Sequence, residues 1–228
     1  MVGFEESRAN YRHPERVEVT GTPVRVDFLN PDKAAARREL GIPEDRPLVV
    51  SVWGSLGAAH MNEVMTDFIV RACAKPFFSL IHSAGKAGYS KMSEALEREK
   101  PDYAKLGMDV RAYIYDMPRV MAAADLVLCR AGASTLAELT AMGKPAILVP
   151  SPNVTNNHQE RNARVLEAAG GAKVMLEQEF TADSLLGLVS ELLQHPEQLE
   201  EMSRNMLALG VPDATDRIAA EILELAAK

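Results

Sequence analysis

The stretch Asp125-Leu126-Val127-Leu128-Cys129-Arg130-Ala131-Gly132-Ala133-Ser134-Thr135-Leu136-Ala137-Glu138 decides how this chain folds. Residues 126–129 are a short apolar run that reads as a buried strand. The chain turns at Arg130-Ala131-Gly132 and continues as a helix over 134–142, closed by Gly143 with Pro145 two residues on. A strand that runs through small residues into a helix start makes an anion site, because free peptide N–H groups and the positive end of the helix dipole converge there. Ser134 and Thr135 add hydroxyls. Glu138 stands at i+3 from Thr135, on the face that looks back to the turn. A carboxylate there repels a phosphate but accepts hydrogen bonds from a ribose diol. The same residues also suit a plain strand-to-helix loop, with Ser134 and Thr135 as caps and Glu138 as a dipole partner.

Outward from this unit the pattern repeats. Residues 48–53 are a second strong strand, apolar enough to be central in a parallel sheet. It runs into Gly54-Ser55-Leu56-Gly57-Ala58 and a helix over 59–74. That turn falls short of the full dinucleotide-binding fingerprint, so it fits phosphate binding and tight packing alike. Further strands are expected at 77–82, 110–114, 146–149 and 172–176. After Pro150 and Pro152, the loop 153–157 leads into a helix carrying His158, Gln159, Arg161 and Asn162. Side-chain amides at a helix start beyond a strand's carboxyl end sit where open α/β sheets place ligand contacts, and they equally suit surface capping. Asp116-Met117-Pro118 opens a short helix, with Asp116 as its N-cap. Three amphipathic helices close the chain at 182–194, 196–209 and 214–227. Their stripes, Leu185-Leu188-Leu192 and Ile218-Ile222-Leu225, read as packing surfaces. About six strands alternating with helices predict an α/β fold, a Rossmann-like doubly wound parallel sheet.

Composition narrows the function. The chain has 228 residues and a formal net charge of −7, so no basic face for nucleic acid is implied. The two cysteines, Cys73 and Cys129, lie in apolar segments and fit a reducing compartment without disulfides. No run reaches the ~20 apolar residues needed to span a bilayer, and the N-terminus carries no signal pattern. A cytoplasmic protein is expected, with the membrane surface reached only through a partner. Residues 1–24 have a short polar helical stretch and a brief strand at 17–19, and read as the tail of a preceding domain plus a linker. Residues 25–228 read as one domain. The five histidines are scattered and no metal-ligand spacing exists. There is no P-loop and no nucleophile elbow. His158 fits a base or a sugar contact, and its position on a loop decides neither.

Taken together, several motifs carry a resemblance. Tyr113-Ile114-Tyr115-Asp116-Met117, then Ala124-Asp125-Leu126, the run from Arg130 to Glu138, Gly143-Lys144-Pro145-Ala146, and Asn157-His158-Gln159 with Asn162-Ala163 follow in order. With Thr20-Gly21-Thr22-Pro23-Val24-Arg25, Gly54-Ser55-Leu56-Gly57-Ala58, His82 and Gly85, the chain resembles the MurG family, the bacterial N-acetylglucosaminyltransferases of peptidoglycan synthesis. The resemblance covers only the C-terminal half of such an enzyme. It implies the donor-binding domain of a GT-B glycosyltransferase, in which GlcNAc passes from UDP-GlcNAc to a lipid-linked muramyl-pentapeptide with inversion and without a cofactor or a bound metal.

Carried over by position, the resemblance implies that the backbone of Ile114 binds the uracil and Glu138 binds the ribose. Ser55 and the backbone at Ala133, Ser134 and Thr135 would hold the diphosphate. Gln159, with His158 and Asn162, would read the GlcNAc hydroxyls, and Arg25 would close the donor side of the cleft. The catalytic base, the lipid-linked acceptor and the contact with the inner face of the membrane belong to the missing N-terminal domain, so this chain alone is expected to be inactive. Two residues depart from the family pattern: Trp53 stands where a glycine is usual, and Thr22 replaces an asparagine. Two alternatives remain open. One is a nucleotide-sugar-binding subunit of a split transferase that needs a membrane partner. The other is a related lipid glycosyltransferase that uses a UDP-hexose.

Overall fold

The computed structural model describes residues 1–54 and 58–227. Strands Leu48–Val52 (β1), Ser79–Ser83 (β2), Met108–Arg111 (β3), Leu126–Cys129 (β4), Ala146–Leu148 (β5) and Ala172–Val174 (β6) form one parallel sheet in the order β3-β2-β1-β4-β5-β6. The order reverses between β1 and β4, and the crevice above the carboxyl ends of these two strands is where such sheets bind ligands. Helices Lys33–Leu40 (α1), Ala59–Ala72 (α2), Tyr89–Glu99 (α3), Met117–Ala123 (α4), Ala133–Met142 (α5), His158–Ala168 (α6), Ala182–Gln194 (α7), Pro196–Leu209 (α8) and Ala214–Ala226 (α9) alternate with and follow the strands, and short 3-10 helices lie in the connections and the N-terminal segment.

The uninterrupted apolar strands follow from coverage on both faces. Side chains alternate across a strand. Val49, Leu126 and Leu128 therefore pack with α2, α3 and α7, while Leu48, Val50, Val127 and Cys129 pack with α4, α5 and α6. Helix ends follow local chemistry. Asp32 Oδ1 caps α1 by accepting from Ala35 N at 2.8 Å. Gly143, with φ of 62°, closes α5 in the left-handed conformation that its missing Cβ permits. Both cysteines are free and buried.

Four expectations need correction. The strand expected at 110–114 is β3 at Met108–Arg111, fixed by its pairing with β2 from Leu80↔Met108 to Ser83↔Arg111. Beyond Arg111 the chain leaves the sheet, so the β-favouring residues Tyr113, Ile114 and Tyr115 form a loop. The strand expected at 17–19 reduces to a single parallel bridge, Val2↔Val19. Asp116 occupies the N-cap of α4, but its carboxylate pairs with Arg119 Nε at 2.8 Å and makes no cap hydrogen bond. The stripe on α9 does not pack as expected: Ile222 is 53% exposed, Leu225 64% and Leu223 70%. Periodicity shows that a helix face is apolar and carries no information about whether another element covers it.

Candidate functional site

A cavity of about 600 Å³ opens at the switch point. Its wall includes Val52, the last residue of β1, with Trp53 and Gly54 beyond it, and Cys129, the last residue of β4, with Arg130 and Gly132 beyond it. The two strand ends are held side by side by the pairing Val52↔Cys129.

The α5 end of the cavity is built to meet an anion. Gly132 is the N-cap of α5 and provides no side-chain cap, and the first-turn N–H groups of Ala133, Ser134 and Thr135 take no backbone partner among the described residues. A Cβ built on Gly132, or on Gly54 opposite, meets no atom within 4 Å among the described residues. Neither glycine is therefore explained by tight packing, and both leave the backbone open to close approach. Gly54 also has φ of 97°, which side chains rarely adopt.

Glu138 lies one turn into α5 and lines the same space. Burial raises its carboxyl above the ordinary glutamate range, and the charge of Arg25 opposes that shift. Arg25 itself is set by Phe28, whose ring lies 5.2 Å below the guanidinium. Burial pushes the Cys129 thiol up to about 12, with the charge of Glu138 adding to the effect, so Cys129 is an inert part of the wall.

At the other end, Tyr113, Ile114 and Tyr115 form the rim. The Ile114 side chain is buried, while its peptide N–H and C=O take no backbone partner among the described residues. Tyr113 and Tyr115 meet edge to face, with ring centroids 4.9 Å apart. On the β5 side, Gln159 Oε1 accepts from Ser151 N at 2.9 Å, which fixes the carboxamide and leaves its amino group to donate. The loop before α6 contains two consecutive left-handed asparagines, Asn156 and Asn157, with φ of 55° and 49°. Strained backbone of this kind concentrates at ligand sites.

Of the residues named from sequence, Arg25, Ile114, Thr135, Glu138 and Gln159 line this one cavity. Ala133 and Ser134 sit beside it on the exposed first turn of α5. His158 is bound to its own loop, Nδ1 to Thr155 O at 2.9 Å, and does not line the cavity. Asn162 borders a separate cavity of about 540 Å³ with Phe4 and Ser7. Ser55 lies outside the described residues. The structure adds Arg130, which pairs with Glu177 at 2.6 Å and donates to Val149 O at 3.1 Å on the wall. It also adds Ser83, Tyr113, Tyr115, Met117 and Met121. For Arg130 and Ser83 the available signal was position: each stands at or just past the carboxyl end of a strand. Among the described residues no three His, Cys, Asp or Glu side chains gather as metal ligands, and no helix is long and apolar enough to cross a membrane.

Residues 48–218 match the model of the glycosyltransferase family 28 C-terminal domain. The chain is 41% identical over 217 residues to a protein of Acetivibrio thermocellus named UDP-N-acetylglucosamine--N-acetylmuramyl-(pentapeptide) pyrophosphoryl-undecaprenol N-acetylglucosamine transferase, covering 95% of this chain and 58% of that protein. A protein of the same name from Desulforudis audaxviator is 40% identical over 228 residues, covering 100% of this chain and 61% of that protein. The chain thus spans about 60% of the length of these curated relatives. Among solved structures, Acinetobacter baumannii MurG superposes with a TM-score of 0.73 at 24% identity, covering 98% of this chain and 64% of that one.

Proposed function

The chain belongs to the glycosyltransferase family 28 C-terminal domain family, and from that premise we propose that it is the donor-binding part of a GT-B transferase. The transferase moves GlcNAc from UDP-GlcNAc to a lipid-linked muramyl-pentapeptide in peptidoglycan synthesis. One observation carries the reading. The uncapped start of α5, Glu138 one turn on, the free peptide of Ile114 and the amino group of Gln159 all border a single cavity. Its size suits a ligand of nucleotide dimensions.

In this reading the peptide of Ile114 pairs with the uracil edge and Glu138 accepts from the ribose hydroxyls. The N–H groups of Ala133, Ser134 and Thr135 hold the diphosphate, with Ser55 as a further candidate. Gln159 donates to a sugar hydroxyl, while His158 and Asn162 take part only if the α6 loop closes inward. As the bond from sugar to phosphate breaks, negative charge grows on the departing UDP. Preorganised N–H donors and the nearby guanidinium of Arg25 stabilise that charge more than they stabilise the bound donor. The domain that binds the donor comprises residues 25–228, preceded by a linker. The base and the acceptor site are assigned to the part of the relatives' length that this chain does not span, so the chain alone binds donor without turnover. A lipid-linked acceptor places the whole enzyme at the inner face of the membrane.

Calorimetric titration with UDP-GlcNAc, UDP and UDP-glucose tests the reading. Saturable binding that is stronger for UDP-GlcNAc than for UDP-glucose, and weaker in Glu138→Ala, supports it. Equal affinity for both sugars turns the assignment to a UDP-hexose transferase. A folded chain that binds none of the three overturns it.

A further inference from the structure

Exposure alternates along the cavity rim that follows β3: Tyr113 is 38% exposed, Ile114 4% and Tyr115 81%. The Ile114 side chain enters the core, so the two rings stand on the other side of the backbone, where they meet edge to face at 4.9 Å. Both line the cavity, with Ile114 between them. Tyr115 is the most exposed large apolar side chain among the described residues. A single exposed aromatic needs no explanation, but this one stands at the mouth of a cavity and is held there. Its backbone is anchored on both sides. Ile114 is buried before it, and Asp116 after it pairs with Arg119 at 2.8 Å, which also lies 3.0 Å from Glu39 on α1.

The two tyrosines are not equivalent. Lys86 Nζ lies 6.0 Å from the centroid of the Tyr113 ring, and the edge-to-face contact engages that ring further. Tyr113 is the support, and Tyr115 presents the open ring. The peptide of Ile114 offers one donor and one acceptor from a single residue, which matches the adjacent acceptor and donor on a pyrimidine edge. A base that pairs edge-on with that peptide lies beside the backbone and turns one face to the side where the rings stand. Met117 and Met121, one turn apart on α4, line the same cavity, and their polarisable thioethers suit contact with a flat ring.

We propose that Tyr115 is a base-stacking residue of the donor site, its ring lying on the face of the nucleobase whose edge the Ile114 peptide reads. Peptide pairing sets which base is accepted. Stacking adds affinity without choosing among bases, since every base has a π-face. The ring that stands in water in the free protein is covered on binding, and that burial of apolar surface appears as donor affinity. The inference rests on the donor-binding reading and adds to it a side-chain contact with the base. The competing account is a surface tyrosine that only packs on Tyr113.

The test combines nuclear Overhauser contacts between isotope-labelled tyrosine and bound UDP with calorimetry on UDP and inorganic pyrophosphate. The chain has five tyrosines, and the signal that disappears in Tyr115→Phe assigns the ring. Contacts from the Tyr115 ring to the carbon-bound protons of the uracil are the expected result. In Tyr115→Phe the affinity for UDP holds within about twofold. In Tyr115→Leu, which keeps apolar bulk and loses the flat face, it falls about tenfold, while that for pyrophosphate holds within about twofold. No contact from Tyr115 while UDP binds, an unchanged UDP affinity in Tyr115→Leu, a loss as large in Tyr115→Phe, or an equal loss for pyrophosphate overturns the assignment and leaves the donor reading intact. A folded wild-type chain that binds neither UDP nor UDP-GlcNAc overturns both. The wild-type contacts stand even if a variant folds poorly.

Discussion

The carboxylate of Asp125, one residue ahead of β4, accepts a 2.7 Å hydrogen bond from the peptide N–H of Leu48, the first residue of β1. It also accepts from Arg37 at 2.9 Å and Lys33 at 2.5 Å, both on α1. One side chain thus ties the two strands of the switch point and a covering helix together, at the end of the sheet opposite the cavity. Burial alone would raise its pKa. The hydrogen bonds from Lys33 and Leu48 and the charges of Lys33 and Arg37 outweigh that effect and hold the carboxyl below the usual aspartate range.

Asp125→Asn should therefore lower unfolding stability by about 2 kcal/mol, since Arg37 is left largely buried without its counter-charge. Urea denaturation reads this directly. With a folded pKa below the unfolded value, the contribution is fully present above the ordinary aspartate range and is lost as pH falls through the depressed folded value. The gap between the two proteins should close in acid.

Gly132→Ala separates folding from binding. Gly132 has φ of −72° and ψ of 139°, which alanine adopts freely, and among the described residues the new methyl meets no atom within 4 Å. Stability should change by no more than about 0.5 kcal/mol. Affinity for UDP should drop at least about tenfold, because the methyl occupies the approach to the first turn of α5. Thermal melts and calorimetry on the same sample check both halves of this expectation.

Glu138→Gln keeps the shape of the side chain and removes its charge. The affinity for UDP should fall about tenfold, a typical value for a charged hydrogen bond. With 2′-deoxy-UDP the two proteins should differ less, since one of the two hydroxyls that the carboxylate accepts from is gone. Burial raises the Glu138 carboxyl, with Arg25 opposing. UDP affinity of the wild type should thus decline on acidification from a higher pH than an ordinary glutamate would give, and this component should be missing in the variant.

His82 is fully buried on β2, with Nδ1 3.0 Å from Ser51 Oγ and Nε2 3.3 Å from Asn62 Oδ1. Burial lowers its pKa to about 3. The folded value lies below the unfolded one of about 6.5, so the unfolded chain binds more protons between these limits. Stability should be level above pH ~6.5 on this account and decline as pH drops toward about 3. In His82→Gln, urea midpoints between pH 7 and pH 5 should fall less steeply than in the wild type. Equal slopes would show that His82 does not set the acid limit.

The sequence alone determined the alternation of strands and helices, the parallel sheet, and the turn at Gly132 with Glu138 beyond it. These rest on local physics: apolar runs short enough for buried strands, glycine where the backbone must stay open, and helix starts whose dipoles favour anions. The tertiary structure decided what those rules cannot reach. Strand register set the end of β3 and so turned Tyr113 and Ile114 into a cavity rim, although their residue types favour strand. Packing set which candidates meet: Gln159 lines the cavity while His158 beside it does not, because consecutive residues on a helix point in different directions, and Asn162 one turn on borders a separate cavity with Phe4 and Ser7. The same limit governs α9 and Trp53. Amphipathic spacing described an apolar face on α9 that the described residues leave largely exposed. A tryptophan after β1 could be read from the sequence, but only the folded surroundings left its buried N–H without an acceptor among the described residues.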